Sequence, residues 1–372
     1  MGFKTKQKDF TEEDLEQIPC PLDPKHTIAR HRMNYHLKRC NARPIQRTDP
    51  YYCQDLNVEP VDDDSKQYQF ELSQLPKEEI HSWIELFMRV GNVLPSPDTE
   101  VLFHPIMHTR WNECGNKKHA VQQASLLGHM EKSSFFESPE SVYFEFGAGR
   151  GELSRYVHHC RPNRNVYILI DRDSNRLKHD SRIIKDSETN GWSIPEVIRC
   201  KIDIKDFKIQ YFVDQKVESN TGIQKPQFVY SKHLCGAATD LTLNCIRKAP
   251  PNAVLIALCC HHHCRWEALS SYSRNQLEKW GIHGVKAFQV LRQMTGWGIN
   301  SLRERMHASG GADTHYSGLT HEERVQIGLK CKHIINTLRK IECEQMGYNA
   351  RLVYYVNPDV TLENVALLAK NK

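Results

Sequence analysis

"VYFEFGAGRGELSRYV", residues 142–157, joins an apolar strand pattern to an amphipathic helix pattern through a turn that contains three glycines. A glycine turn between a strand and a helix is typical of a nucleotide-like ligand site in an α/β domain. The glycines Gly147, Gly149 and Gly151 read G-x-G-x-G, and Glu152 stands where a dinucleotide fingerprint needs its third glycine. The turn therefore favours a nucleoside ligand that is not a dinucleotide. The alternative is a tight turn that serves packing alone.

Acidic residues stand at the ends of three successive predicted strands: Glu145, Asp171 and Asp203. Glu145 suits a ligand with a positive amino-acid group, Asp171 has the spacing of an acid that binds a ribose diol, and Asp203 is placed to meet an adenine edge. This pattern is typical of S-adenosylmethionine binding. The predicted cofactor-binding residues are Glu145, Gly147, Gly149, Gly151, Asp171 and Asp203.

Outward from this turn, strand and helix patterns alternate, as a parallel sheet with crossover helices requires. The predicted strands are SVYFEF, NVYILID, VIRCKID, PQFVYSKHL and NAVLIALCC. ARLVYYV and TLENVALL then predict an antiparallel pair that closes the sheet. The predicted fold class is α/β: a Rossmann-like, class I S-adenosylmethionine-dependent methyltransferase domain with a mostly parallel sheet, preceded by a small zinc finger.

A late amphipathic helix is predicted in EERVQIGLKCKHIINTLRK. Its apolar stripe consists of Ile327, Cys331, Ile334, Ile335 and Leu338. The other faces carry Lys330, Lys332, Arg339 and Lys340, and we expect these cations to bind phosphates of a nucleic acid.

Candidate catalytic residues follow the fourth and fifth predicted strands, because ligands of open α/β sheets bind at the carboxyl ends of strands. The fourth strand ends in Lys232, His233 and Cys235. A ribose hydroxyl is a poor nucleophile, so a base or cation must take or weaken its proton, and we predict Lys232 and His233 for this role. Cys235 leaves open a covalent attack on a pyrimidine ring, although the proline context expected for that chemistry is missing.

The fifth strand runs into CCHHHCR, from Cys259 to Arg265. These side chains either shape the pocket or bind a second metal ion. Adjacent ligands point in different directions and the spacing matches no standard site, which favours the first interpretation.

A metal site is predicted near the start of the chain, where Cys20, His26, His36 and Cys40 have the spacing C-x5-H-x9-H-x3-C. His36 and Cys40 lie four residues apart, so a helix presents both to one ion. Two thiolates and two imidazoles suit tetrahedral Zn²⁺, which would supply much of the stability of so small a unit. His31 is a spare imidazole that could replace His26. The alternative is a set of unrelated thiols and imidazoles.

Bulk properties restrict the class of protein. The 372 residues contain no apolar run long enough for a membrane span, and the charged N-terminus lacks the core of a signal peptide. Thirteen cysteines without an export signal indicate a reducing compartment, so we expect an intracellular protein of the nucleus, the cytoplasm or both. Residues 25–47 carry no acid and suit a polyanion such as nucleic acid. Their cations are Lys25, Arg30, Arg32, Lys38, Arg39, Arg43 and Arg47.

Together these motifs resemble the eukaryotic tRNA 2′-O-ribose methyltransferases that modify the fourth nucleotide of the acceptor stem. The resemblance runs through the C-H-H-C finger, KKHAVQQASLLGHM, EFGAGRGELS, LIDRDSNRLKHD, SKHLCGAATDL, LCCHHHCRW and VTLENVALL. It implies methyl transfer from S-adenosylmethionine to a tRNA ribose hydroxyl, with tRNA as the partner and neither membrane nor DNA. Family members typically carry a further cysteine-rich finger, for which too few residues precede Cys20, so we expect a short form or reduced RNA affinity.

The predicted organisation is a finger at 15–45, a linker with one amphipathic helix at 46–98, and a methyltransferase domain at 99–372. Two other functions remain open on the sequence. One is a finger-bearing RNA-binding or spliceosomal protein with an inert methyltransferase-like domain. The other is a protein or small-molecule methyltransferase, for which the finger would be an unusual companion.

Overall fold

The structure, a computed structural model, describes residues 11–40, 42, 47–61, 70–108, 111, 117–173, 175, 178–215, 225–298 and 315–372. The chain divides into two compact units, 1–50 and 51–372. Arg43, one of the predicted phosphate-binding cations, lies outside the described residues. Among the described helices, none is both long and apolar enough to cross a membrane.

The first unit contains two short helices and a hairpin: α1 (Glu12–Leu15), β1 (Gln17–Cys20), β2 (Asp23–Ala29) and α2 (Met33–Leu37). The antiparallel pairing of β1 with β2 shifts its register between Pro19 and Cys20. Cys20 and Cys40 are the only buried side chains among the described residues of this unit. So little apolar burial cannot offset the entropy of ordering the chain, and the unit therefore needs another source of stability.

The second unit alternates helices and strands, as the sequence predicts. Its elements are α3 (Lys77–Val93), β3 (Asp98–Thr99), α4 (Lys117–Lys132), β4 (Val142–Phe146), α5 (Glu152–Cys160), β5 (Val166–Asp171), α6 (Asp180–Asn190), β6 (Glu196–Lys201), α7 (Gln210–Gln215), β7 (Gln227–Cys235), α8 (Ala237–Lys248), β8 (Ala253–Cys259), α9 (Ser271–Lys279), α10 (Gly284–Met294), α11 (His321–Gln345), β9 (Tyr348–Tyr354) and β10 (Val365–Asn371).

The large sheet has the strand order β3-β9-β10-β8-β7-β4-β5-β6. Strands β4 to β8 pair in parallel, whereas β10 runs antiparallel to both β8 and β9. The prediction of a mostly parallel sheet with an antiparallel C-terminal pair is confirmed. The chain leaves β4 toward β5 and β6, then returns to the other side of β4 as β7. This reversal creates a crevice at the carboxyl ends of β4 and β7, where α/β sheets bind ligands.

Helices cover both faces of the sheet, so its central strands read as continuous apolar runs. Along β4, Phe144 packs on one face with residues of α7 and α8, whereas Tyr143 packs on the other with residues of α4 and α5. A third apolar cluster joins α3, α10 and α11. Two buried faces hold the strands in register, because a shift by one residue would exchange every core side chain.

On the long helix α11, the prediction for the charged residues differs from the structure. Its predicted apolar stripe is buried in full. Lys332 and Arg339 are buried as well, so the expectation that they bind phosphates is wrong. The Lys332 ammonium lies 3.3 Å from Glu363, and the Arg339 guanidinium donates hydrogen bonds of 2.8 and 3.0 Å to Asp240. The reason is that α11 packs against helices and also against the sheet, which leaves only a narrow exposed strip.

In the structure the boundary between the units lies after Pro50, so the residues predicted as a linker, 46–98, fall mostly in the larger unit. Tyr51 packs against Phe207 and Phe212, and Phe87 of α3 is fully buried in the third apolar cluster. The polar stretch at the start of this segment is also attached to the larger unit, because Asn57 donates hydrogen bonds to backbone oxygens of residues 204 and 207.

Candidate functional site

The glycine turn after β4 meets the end of β7 at the crevice of the sheet. Gly147 has φ +64°, and a Cβ there would lie 2.8 Å from the backbone oxygen of His233. A side chain at this position therefore requires both a strained backbone and a shift of β7. The close approach brings the predicted cofactor turn and the predicted catalytic residues to one place.

Gly149 is the glycine that borders open space. Its φ is +51°, and an added Cβ would meet no protein atom within 4 Å. Its N–H donates a 2.7 Å hydrogen bond to the Asp171 carboxylate, and its carbonyl accepts one of 2.8 Å from Arg199. Arg199 is itself held by a bidentate pair with Asp180. The turn is thus fixed from β5 and β6, with a bare backbone surface against which a ligand can lie.

Glu145 is buried beneath the turn, with 3% of its surface exposed. Its Oε2 accepts hydrogen bonds from the backbone N–H and the hydroxyl of Ser154, and that hydroxyl also hydrogen-bonds with Tyr230. Burial raises the pKa of Glu145 to about 7, while the bonds from Ser154 and the charges of Arg199 and Lys232 limit the rise. A buried carboxyl of this kind gains from any cationic group placed beside it.

Asp203 follows β6, the third of the neighbouring parallel strands, so it lies at the same edge of the sheet as Glu145 and Asp171. Its side chain accepts a 3.0 Å hydrogen bond from the N–H of Lys205 and so caps the short turn Ile204–Asp206. The described hydrogen bonds of Asp203 do not reach the other two acids. The structure therefore joins Asp171 to the glycine turn directly and places Asp203 further along the edge.

Lys232 and His233 form a β-bulge. In the pairing of β7 with β8, Ser231 faces Ile256 and Leu234 faces Leu258, so two residues oppose one between them. Bulges redirect side chains and are frequent next to active sites. This bulge takes both predicted catalytic side chains out of the regular alternation of the strand.

His119 of α4 completes this group. The Lys232 ammonium donates a 3.2 Å hydrogen bond to His119 Nδ1, and the His119 and His233 rings lie edge to face with centroids 6.0 Å apart. Desolvation, together with the charge of Lys232 and the His119 ring, lowers the pKa of His233 to about 4. No local sequence pattern indicates His119, because it precedes Lys232 by 113 residues.

The CCHHHC run does not act as one unit. Cys259 and Cys260 converge with Cys235, and the three sulfur atoms all lie within 4.8 Å of one another. Hydrogen bonds from Cys259 and Cys260 lower the pKa of Cys235. Two members of the run point elsewhere: Cys264 is buried against Arg339, and His261 donates a hydrogen bond to Asn336.

His261 lines a separate cavity of about 60 Å³. The cavity is lined by Pro97, Leu258, His261, Leu329, Lys332, His333, Asn336, Tyr354, Leu362, Glu363, Asn364 and Val365. None of the predicted cofactor-binding or catalytic residues lines it. Glu363 lies 3.5 Å from His261 and 3.3 Å from Lys332, so these buried charged and polar groups compensate one another.

In the first unit the four predicted metal ligands converge. Cys20 Sγ lies 3.7 Å from Cys40 Sγ and 3.2 Å from His36 Nε2, and His26 Nε2 lies 3.0 Å from His36 Nε2 and 3.8 Å from Cys40 Sγ. A tetrahedral Zn²⁺ with two sulfur and two nitrogen ligands has edges of about 3.3–3.8 Å, close to these separations. The donor set therefore fits zinc.

His31 is not part of this tetrahedron, because its Nδ1 donates a 2.8 Å hydrogen bond to the carbonyl of Asp14. Just after α2, the Arg39 guanidinium lies 4.4 Å from the centre of the ring of Tyr35, a residue of α2 that is 59% exposed. An exposed aromatic ring beside a cation is an arrangement on which nucleic-acid bases stack.

Comparison with known proteins adds to this geometry. Residues 121–370 match the family described as Methyltransferase TRM13, and residues 17–41 match the U11-48K-like CHHC zinc finger. The "tRNA:m(4)X modification enzyme TRM13" of Schizosaccharomyces pombe is 64% identical to this chain over 98% of each protein. The Saccharomyces cerevisiae protein of the same name is 33% identical over 99% of this chain and 87% of its own length.

A solved structure, the small RNA methyltransferase HEN1, resembles this chain with a TM-score of 0.36 and 10% identity. The match covers 75% of this chain and 28% of HEN1. At this level the likeness has no bearing on function.

Proposed function

The chain belongs to the TRM13 methyltransferase family, and we propose that it methylates the ribose 2′-hydroxyl of the fourth nucleotide in the acceptor stem of tRNA, with S-adenosylmethionine as the methyl donor. The chain covers 98% of a relative named as a tRNA modification enzyme, which supports the proposal. The motifs in which the sequence resembles tRNA ribose methyltransferases support the choice of hydroxyl and of nucleotide.

One observation carries the proposal: the glycine turn and the β7 bulge meet in a single crevice, with Gly147 against the backbone of His233. Methyl transfer needs the donor sulfonium and the acceptor oxygen in line and close together. A sheet edge that presents a nucleoside-binding turn beside a cluster of basic side chains meets this need.

The cofactor site is formed by the turn and the acids around it. S-adenosylmethionine supplies an electrophilic methyl group on a sulfonium, and its nucleoside would lie over Gly149, where the backbone is bare. Asp171 is oriented by the Gly149 N–H, which suits it to receive ribose hydroxyls. Glu145 offers a buried carboxyl, whose ionised form the cationic amino group of the ligand would stabilise.

The bulge residues handle the acceptor hydroxyl. When the hydroxyl oxygen forms its bond to the methyl carbon, its proton must pass to a base. Among the residues that the structure describes, the His233 ring makes no side-chain hydrogen bond, so we assign it the role of accepting this proton. Lys232 is held by His119 and contributes its positive charge, which stabilises developing negative charge on the acceptor oxygen.

The N-terminal unit binds RNA in this proposal. Zinc held by Cys20, His26, His36 and Cys40 supplies the stability that the sparse core lacks. Phosphates would bind the basic segment 25–47, and a base would stack on Tyr35. A tRNA substrate agrees with a nuclear or cytoplasmic location.

The test is to incubate the purified chain with radiolabelled S-adenosylmethionine and total tRNA, then to hydrolyse the product with alkali. A 2′-O-methyl group blocks attack of the 2′-oxygen on the neighbouring phosphate, so the label is expected in an alkali-resistant dinucleotide. Label in mononucleotides would instead indicate base methylation and contradict the proposed acceptor.

A further inference from the structure

The carboxyl ends of β7 and β8 bring three thiols together in the larger unit. Cys235 and Cys259 are partners in the parallel register, and their sulfur atoms lie 3.8 Å apart. The sulfur of Cys260 lies within 4.8 Å of both. Zinc bound by tetrahedral thiolates at about 2.3 Å separates its sulfur ligands by about 3.8 Å. The zinc finger of this same chain shows a Cys20–Cys40 separation of 3.7 Å.

An unusual backbone conformation brings Cys260 into this group. Neighbouring side chains on a strand point to opposite faces, so Cys259 and Cys260 would normally diverge. Cys260 instead adopts φ +51° and ψ +44°, a left-handed conformation that is strained for a residue with a Cβ. Strained residues of this kind concentrate at functional sites.

The loop after β8 is also locked against β7. A Cβ on Gly236, the residue after Cys235, would lie 2.4 Å from the backbone carbon of His263. Only glycine permits this contact, which keeps the two strand ends side by side. Gly236 further accepts a hydrogen bond of 3.0 Å from the buried Arg339 guanidinium.

We propose that Cys235, Cys259 and Cys260 bind a second zinc ion, whose fourth coordination position is open and filled by water. Within the described part of the chain, no further histidine, cysteine or carboxylate joins this group of ligands. Three protein ligands with one open position are typical of reactive zinc sites, whereas structural sites are closed by four. Cys235 is exposed and Cys260 half-buried, so solvent can reach the open side.

This site lies next to the residues that we propose for catalysis. A role for the metal in catalysis rests on the function proposed above. Lys232 and His233 stand in the bulge, and only Leu234 separates them from Cys235. A metal ion that ties the end of β7 to β8 would hold the bulge, and through it the base that receives the proton.

The experiment is a zinc count on the purified full-length chain by plasma mass spectrometry after gel filtration. The wild-type chain is expected to hold about two zinc ions. Cys20→Ser, which removes a finger ligand, should leave about one, and so should Cys260→Ser, whereas the two changes together should leave about none. Cys53→Ser, at an exposed cysteine outside both groups, is the control and should keep about two.

A second measurement tests the open position and does not depend on zinc retention. In the Cys20→Ser chain, Co²⁺ in place of zinc should give sulfur-to-metal charge-transfer bands that shift when azide is added, because azide can replace the water. One zinc ion in the wild type and none in Cys20→Ser, or a Cys235–Cys259 disulfide in peptides mapped without reductant, would overturn the proposal. Neither readout uses tRNA, so failure of the zinc site is distinguishable from failure of the proposed methylation.

Discussion

The Gly149 N–H donates a 2.7 Å hydrogen bond to the carboxylate of Asp171, which ends the neighbouring strand. Arg199 binds the carbonyl of the same glycine from β6. Contacts from two strands therefore hold one residue, and the turn is rigid before any ligand binds. Rigidity of this kind reduces the entropy that a ligand must lose on binding.

Gly149→Ala should weaken S-adenosylmethionine binding by at least about tenfold, because the new methyl group occupies the open space over the turn. Isothermal titration calorimetry measures the change. Gly191→Ala is the matched control, since Gly191 also has a positive φ and open space around it but lies at the end of α6. Both variants carry about 1–2 kcal/mol of backbone strain. Equal cofactor affinity in the two would place the cofactor elsewhere.

Glu145→Gln should change how stability depends on pH. The pKa of Glu145 is raised from 4.5 to about 7, so the folded state binds its proton more tightly than the unfolded state does. The associated stability is complete below about pH 4.5 and is lost as the pH rises to 7, by an amount on the order of 3 kcal/mol. Glutamine resembles the protonated carboxyl at every pH, so the Glu145→Gln variant should not lose this stability as the pH rises.

Urea unfolding at pH 4.5 and pH 8, followed by tryptophan fluorescence, measures the effect. All six tryptophans lie after residue 50, so the signal reports the larger unit alone. Glu188→Gln on the exposed side of α6 controls for the loss of a surface charge. If wild type and Glu145→Gln lose the same stability between the two pH values, the carboxyl is not the buried acid described above.

The sequence was sufficient to predict the sheet because both of its faces are buried. Five consecutive apolar strands leave few alternatives to a parallel sheet covered by helices. The zinc ligands were predictable for a related reason, since four ligands within about twenty residues constrain one another strongly. In the structure these four side chains converge.

Long-range contacts explain what the sequence did not reveal. Arg339 looks like a surface cation from its position on α11, and only the packing of α8 against that helix shows that Asp240 neutralises it. His119 and Lys232 are far apart in the chain, and the bulge that joins them depends on the register of β7 with β8. Periodicity reports which face of an element is buried, but not which polar groups meet within it.

Arg339→Met should therefore destabilise the larger unit rather than weaken tRNA binding. The change leaves Asp240 buried without its partner, which typically costs about 3–5 kcal/mol. Lys340→Met is the control on the same helix, because Lys340 pairs with Glu344 at the surface. Thermal unfolding and tRNA affinity of the folded fraction measure the two effects separately. A strong loss of tRNA affinity with unchanged stability would restore the phosphate-binding interpretation of α11.

His233→Ala should lower kcat by about 10²–10⁴-fold with little effect on cofactor affinity, because the hydroxyl proton loses its acceptor. His119→Ala should have a smaller effect, since it frees Lys232 without removing the base. His283→Ala, at an exposed histidine before α10, is the control. Single-turnover methyl transfer to tRNA gives the rates. Full activity in both His233→Ala and Lys232→Ala would show that another group takes the proton.

Tyr35→Ala should weaken tRNA binding by about 1–3 kcal/mol, or roughly 5- to 150-fold, because a stacked base loses its aromatic partner. The change removes no charge, so the slope of affinity against salt concentration should stay the same. Arg39→Ala, its neighbour in the cation–π pair, should instead reduce that slope by about one.

Fluorescence anisotropy of labelled tRNA across a series of salt concentrations separates these two effects. Leu15→Ala is the control for loss of an exposed apolar side chain in the same unit, since Leu15 is 54% exposed on the acidic helix α1. Zinc content should be unchanged in all three variants, which excludes an indirect effect through the fold of the finger. An unaltered affinity in Tyr35→Ala would mean that phosphate contacts alone hold the RNA and that no base stacks on this face.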